Sequence, residues 1–177
     1  MRASFQAISL SYQTSPIHVR ESVSFNEPEC KTLLPILREN TPATDILVLS
    51  TCNRTEVYYR TEQDCSRQII DLIASRKGIV DAARLATYFK VMLTAEEALQ
   101  HLFQVAMGLE SQVVGDLHIA GQVKRAYQYA ADTGTAGTFL HHLMHSVFLP
   151  AKELRRKRVS ETGPPPSPTP PSSWCGN

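Results

Sequence analysis

No apolar run in this chain approaches the roughly 18 residues of a membrane helix. No charged-then-apolar leader opens it either; it begins MRASFQAISLSYQTSP. Cysteine is sparse. Cys30, Cys52, Cys65 and Cys175 form no CxxC pair and no regular spacing, which argues against a zinc ribbon or a disulfide framework. Reduced thiols in a cytoplasm are the expectation. Charge of one sign is also lacking. The net charge of +1 excludes a global pull toward nucleic acid, so any RNA contact needs a local patch. No GxGxxG follows an expected strand, which excludes a dinucleotide-binding unit of that type within these 177 residues. What remains is ordinary for a soluble domain: 42% hydrophobic and 20% charged residues.

Strand and helix patterns are plain. Residues 4–10, SFQAISL, read as a strand, and Thr14-Ser15-Pro16 breaks the pattern. Asn26 is an N-cap candidate, with Glu27, Pro28 and Glu29 in the first turn of a helix. Pro35 predicts a kink or a short second segment there. Residues 45–51 and 55–60 read as strands. Helical spacing over 64–76 ends at Gly78. Thr94 and Glu97 make a capping box for a following helix. Further helices are expected over 119–132 and 136–159. Strands first and helices later predict an α+β fold: a small mixed sheet, helices packed on one side, and a mainly helical C-terminal half. Residues 163–177, GPPPSPTPPSSWCGN, hold six prolines in fifteen and no apolar periodicity; a disordered tail is expected.

Two stretches carry chemistry. In LVLSTCNRTEVYYR, residues 47–60, Cys52 falls where one strand stops and the next begins. Thr51, Asn53 and Arg54 surround it with donors, and Arg54 adds a cation that would stabilise a thiolate. A buried, inert thiol is the competing reading. The second stretch is residues 96–127. There His101 lies on an otherwise apolar helix face, where a packed core histidine is the competing reading. Gly108 and Gly115 bracket LESQVV, and Ser111, Asp116, His118, Gln122 and Lys124 place polar groups near helix ends, as caps or as a ligand site. Two weaker signals remain. His141 and His145 have a spacing compatible with metal, but no third ligand is apparent. The run KELRRKR, residues 152–158, reads as a solvated helix end or a contact for RNA phosphates.

Together these stretches carry a resemblance. LSTCNRTEVY resembles the signature around the nucleophilic cysteine of the glutamyl-tRNA reductases. HLFQVAMGLESQVVGDLHIAGQVKRAY, residues 101–127, resembles that family's second block, and SLSYQTSPIHVRE, residues 9–21, its first. Order and spacing agree, over about residues 1–163. The resemblance makes residues 1–159 the family's N-terminal catalytic domain and 160–177 a tail.

The family reduces glutamyl-tRNA with NADPH to glutamate 1-semialdehyde, the first step of five-carbon tetrapyrrole (porphyrin) biosynthesis. By resemblance, Cys52 is the nucleophile that forms a glutamyl thioester, and His101 assists proton transfer or orients the reacting group. Thr51, Asn53, Arg54, Ser111, Asp116, Leu117, His118 and Gln122 match substrate-contacting positions, with Arg54 suited to a carboxylate. Three departures stand out. The family's Glu-Pro-Gln is Asp116-Leu117-His118 here, its block-one histidine is Tyr12, and its glycine is Ser9. They bear on substrate affinity more than on reaction type. The family continues into NADPH-binding and dimerisation domains, so no cofactor site and no metal site are expected in this chain. A cytoplasmic oxidoreductase, homodimeric in its full-length form and a possible partner of glutamate-1-semialdehyde aminomutase, is what the family implies. Two rivals are an esterase, with water replacing hydride at the Cys52 thioester, and a non-catalytic module binding charged tRNA or a partner. Back-translated and read two bases out of frame, the tail permits AASVSYAAVELV after Thr162, so a frameshift near Gly163 is a further expectation.

Overall fold

The computed structural model describes residues 3–111 and 118–148. The β1 strand (Ser4–Ser11) is followed by α1 (Ile17–Ser22) and α2 (Glu27–Asn40). The hairpin β2 (Thr44–Thr51) and β3 (Arg54–Thr61) comes next, then α3 (Ser66–Arg76), α4 (Ala82–Ala86) and β4 (Lys90–Met92). Then come α5 (Ala95–Ala106) and α6 (His118–Asp132). A last helix, α7, runs over 138–148. It was expected over 136–159; residues 149–159, the basic run and the Pro-rich tail lie outside the described residues.

The sheet has the order β2-β3-β1-β4. Every neighbouring pair is antiparallel, which corrects the expected mixed sheet. The cause is topological. A two-residue turn forces β3 to run against β2, and β1 then slots beside β3 from Ser4↔Thr61 to Ser11↔Arg54. Strands that run parallel, β1 with β2 and β3 with β4, are each split by a strand between them. This is the split β-α-β arrangement of ferredoxin-like folds.

Helices cover both faces, not one. Phe5 through Ser11 of β1 are all buried, and in β3 only Arg60 is less than buried. Residues 23–25 lie against one face: Thr55 Oγ1 donates to the Val23 carbonyl and Phe25 N–H donates to Ser50 Oγ. The other face receives α5 through His101 and α7 through Phe139, whose ring lies 5.4 Å from that of Phe5. The free edge of β2 is closed by Thr135, which accepts from Ile46 N–H and donates to the Ile46 carbonyl.

Local signals explain the helix ends. Asn26 and Glu29 form the reciprocal capping box, at 3.0 and 2.7 Å. Thr94 accepts from Glu97 N–H, and the Glu97 carboxylate bonds back to the Thr94 hydroxyl. Pro35 does not divide α2, which continues from Glu27 to Asn40. Leu33, Leu34 and Leu37 are buried around it, and such packing outweighs the roughly 3 kcal/mol penalty of an interior proline. Three elements had no sequence signal: α1, α4 and β4, at six, five and three residues, are too short to show a period. The start of α7 is capped from a distance. Leu140 N–H donates to Asp45 Oδ1 at 3.1 Å, and Asp45 holds a left-handed φ of 49°. A Cβ on Gly137 would sit 2.6 Å from that oxygen, so a larger residue there would push the Asp45 carboxylate off this cap.

Candidate active site

The pair Thr51↔Arg54 closes on a two-residue turn, Cys52-Asn53. Neither turn residue has a positive φ, so this is not the primed turn that matches strand twist. The tip is tied down on two sides. Asn53 N–H donates to Thr51 Oγ1 at 3.2 Å, and the Asn53 carbonyl accepts from Tyr12 N–H at 3.0 Å. Cys52 itself is exposed, whereas Cys30 and Cys65 are buried. Burial pushes the Cys30 thiol up to about 11 and the Cys65 thiol in the same direction. Cys52 is thus the only described cysteine that presents its thiol to solvent.

Beneath the tip, alternation along β3 places Arg54, Glu56 and Tyr58 on one face. Glu56 is fully buried and is the centre of the cluster. Its Oε1 accepts from Ser9 Oγ at 2.7 Å, Arg54 Nη1 at 3.0 Å and His101 Nε2 at 3.0 Å. Its Oε2 accepts from the Tyr58 hydroxyl at 2.6 Å. Burial alone would raise the Glu56 pKa. The hydrogen bond and charge of His101, then Arg54 and Tyr58, outweigh burial and hold it at about 2. An ionised carboxylate only accepts, so Nε2 of His101 is the donor. Burial, then the Glu56 charge, push the Tyr58 hydroxyl well above its ordinary value, so it remains a donor too.

His101 sits on the buried face of α5 with Ala98, Leu102 and Val105. Its ring stacks on Tyr58 at 6.2 Å and 26°. Arg54 is 3% exposed, and its Nη2 donates to the Glu110 carbonyl. Both terminal nitrogens of the residue expected to meet a substrate carboxylate therefore have partners inside the protein. The same contact draws the loop after α5 to the hairpin. Ser111 follows directly, its N–H donating to the Gly108 carbonyl at 3.4 Å, while Gln13 Nε2 donates to the Glu110 carboxylate at 2.9 Å.

The fold thus gathers Thr51, Cys52, Asn53, Arg54, His101 and Ser111 at one end of the sheet. Gln122 lines a cavity of about 270 Å³ with Phe25, Cys30, Ser50 and Arg125, between α2, β2 and α6, and none of the Glu56 cluster lines it. His118 opens α6, and Asp116 and Leu117 lie outside the described residues. His141 Nδ1 bonds the Tyr127 hydroxyl at 2.6 Å, and no group of three potential ligands for a metal forms among the described residues.

Sequence reasoning missed Glu56, Tyr58 and Glu110. Arg54, Glu56 and Tyr58 do alternate in a strand beside a cysteine, but no local signal says that their face is buried. Ser9, where the related pattern has glycine, spends its hydroxyl on Glu56.

Fold and site together define an α+β domain with an exposed thiol set over a buried histidine–carboxylate–arginine cluster. Comparison with known proteins names the family. The family model described as "Glutamyl-tRNAGlu reductase, N-terminal domain" matches residues 8–158, and the chain belongs to that family. The glutamyl-tRNA reductase of Cytophaga hutchinsonii is 43% identical over 163 residues, covering 92% of this chain and 38% of that protein. That of Geobacillus thermodenitrificans is 36% identical, covering 88% of this chain and 33% of that protein. The solved glutamyl-tRNA reductase of Methanopyrus kandleri superposes with a TM-score of 0.70 at 28% identity, covering 89% of this chain and 36% of that one. The chain therefore spans about a third of the length of these relatives. Among the described residues no helix is long and apolar enough to cross a membrane.

Proposed function

We propose that this domain carries the acyl-transfer half of glutamyl-tRNA reduction. The observation that carries the reading is the exposed Cys52, on a tied turn that runs straight into Arg54 and Glu56 of the cluster that holds His101. Cys52 Sγ bonds to the glutamyl carbonyl carbon, and the carbon–oxygen bond to the tRNA breaks. The thiol proton ends on the departing tRNA oxygen, with His101 as the group that moves it. Thr51, Asn53, Ser111, Asp116, Leu117, His118 and Gln122 are the substrate contacts, and Arg54, which the family pattern would add to them, has another task. Arg54 serves mainly by holding the Glu110–Ser111 loop against the hairpin, since its fork is occupied.

In the complete reaction NADPH supplies hydride to the thioester. The described residues do not fit that cofactor. A dinucleotide site needs a glycine-rich turn between strand and helix, and no glycine precedes Gly78, so the connections after β1 and β3 have none. The cofactor domain, the homodimer and any contact with glutamate-1-semialdehyde aminomutase belong to the full-length, cytoplasmic protein. Exposure of Cys52 favours one further reading, hydrolysis of the thioester by water in this chain taken alone.

The test uses glutamyl-tRNA carrying labelled glutamate, beside Cys52→Ala. Label bound covalently to the wild type only, and released by hydroxylamine, is the expected result. Label on neither would end the thioester reading. Free glutamate released by the wild type alone would identify the hydrolase.

A further inference from the structure

Glu56 cannot meet substrate: it is fully buried, and each of its oxygens already has a donor. Its links run instead to the residues around the Cys52 turn. It bonds His101 and Arg54 directly, and Arg54 carries the link to the loop before Ser111. We propose, resting on the thioester reading, that Glu56 is a positioning residue for the chemistry at Cys52. It accepts the Nε2 proton of His101 and so leaves Nδ1 as the nitrogen that exchanges a proton.

The argument needs a carboxylate in particular. Neutral imidazole has one N–H and one lone pair, and the fixed partner decides which nitrogen holds which. An ionised carboxylate accepts only, so it permits just the Nε2–H form. Ring stacking on Tyr58 and the shared bond from Tyr58 to Glu56 fix the imidazole plane from a second direction. Ser9 and Arg54 hold the carboxylate in place. A glutamine of the same shape can instead donate to Nε2, moving the ring proton to Nδ1; an Asp-to-amide change in a catalytic triad reverses the tautomer in this way.

The test uses the full chain with ¹⁵N-labelled histidine, at a pH where the ring is neutral. Nitrogen–proton correlation spectra report the His101 tautomer, and labelled glutamyl-tRNA reports acyl transfer. Wild type should show the Nε2–H form; an Nδ1–H form there overturns the proposal with no variant needed. Glu56→Gln should reverse the tautomer and slow acylation about 100-fold or more, with tRNA affinity kept. Glu56→Asp should restore the tautomer and much of the rate. Acylation at the wild-type rate in Glu56→Gln also overturns the proposal. A wild type that never takes label removes the thioester reading instead, and the spectra then decide the role of Glu56 unaided.

Discussion

The two faces of β3 are built from similar material and treated differently. On one, Arg54, Glu56 and Tyr58 are buried with their polar groups joined to one another, to Ser9 and to His101. On the other, Thr55, Val57 and Tyr59 are equally buried, yet the Tyr59 hydroxyl has no partner among the described residues, and burial, then nearby Cys65, pushes its pKa up. A core that tolerates an orphan hydroxyl on one side has satisfied a carboxylate four times on the other. The difference separates a face that only packs from the face that carries the candidate site.

Breaking the polar face should cost most. Arg54→Met leaves Glu56 buried without its guanidinium, and stability should fall by about 3–5 kcal/mol in a denaturant titration. Acid should do this next. The Glu56 pKa is held near 2, below its ordinary 4.5, so the stability it contributes is present above about 4.5 and is lost as pH falls toward 2. A loss of about 3 kcal/mol is expected over that window, and Glu56→Gln should flatten it.

The two tyrosines give the sharpest comparison. Tyr58→Phe removes a donor from a charged acceptor and should cost about 1.5–3 kcal/mol, whereas Tyr59→Phe removes an orphan and should be neutral or slightly stabilising. Equal losses in thermal melts would erase the distinction between the faces. A smaller loss is expected at the start of α2: Asn26→Ala should cost about 1 kcal/mol in the same melts.

Much of the fold was legible. The hairpin was expected as strands over 45–51 and 55–60 and occupies Thr44–Thr51 and Arg54–Thr61. Both capping residues, Asn26 and Thr94, accept the expected backbone N–H. These signals are local: a cap reaches three residues and a helical face repeats in four. The sheet was less legible, because β4 has three residues and no pattern. The site was half legible. Cys52 and His101 stand out by residue type and motif, whereas Glu56 looks like one more strand-surface charge until the other face is known to be covered.

The sequence by itself determined the longer helices and strands, the hairpin that lifts Cys52 and the family to which the chain belongs. Only the tertiary structure decided that both faces of the sheet are buried and that Glu56 is their polar centre. The physical reason is distance along the chain. Ser9 and His101 reach Glu56 across 47 and 45 residues, and such contacts exist only once β1 has paired with β3 and α5 has packed on them. Local periodicity extends over a turn or two and holds no record of them.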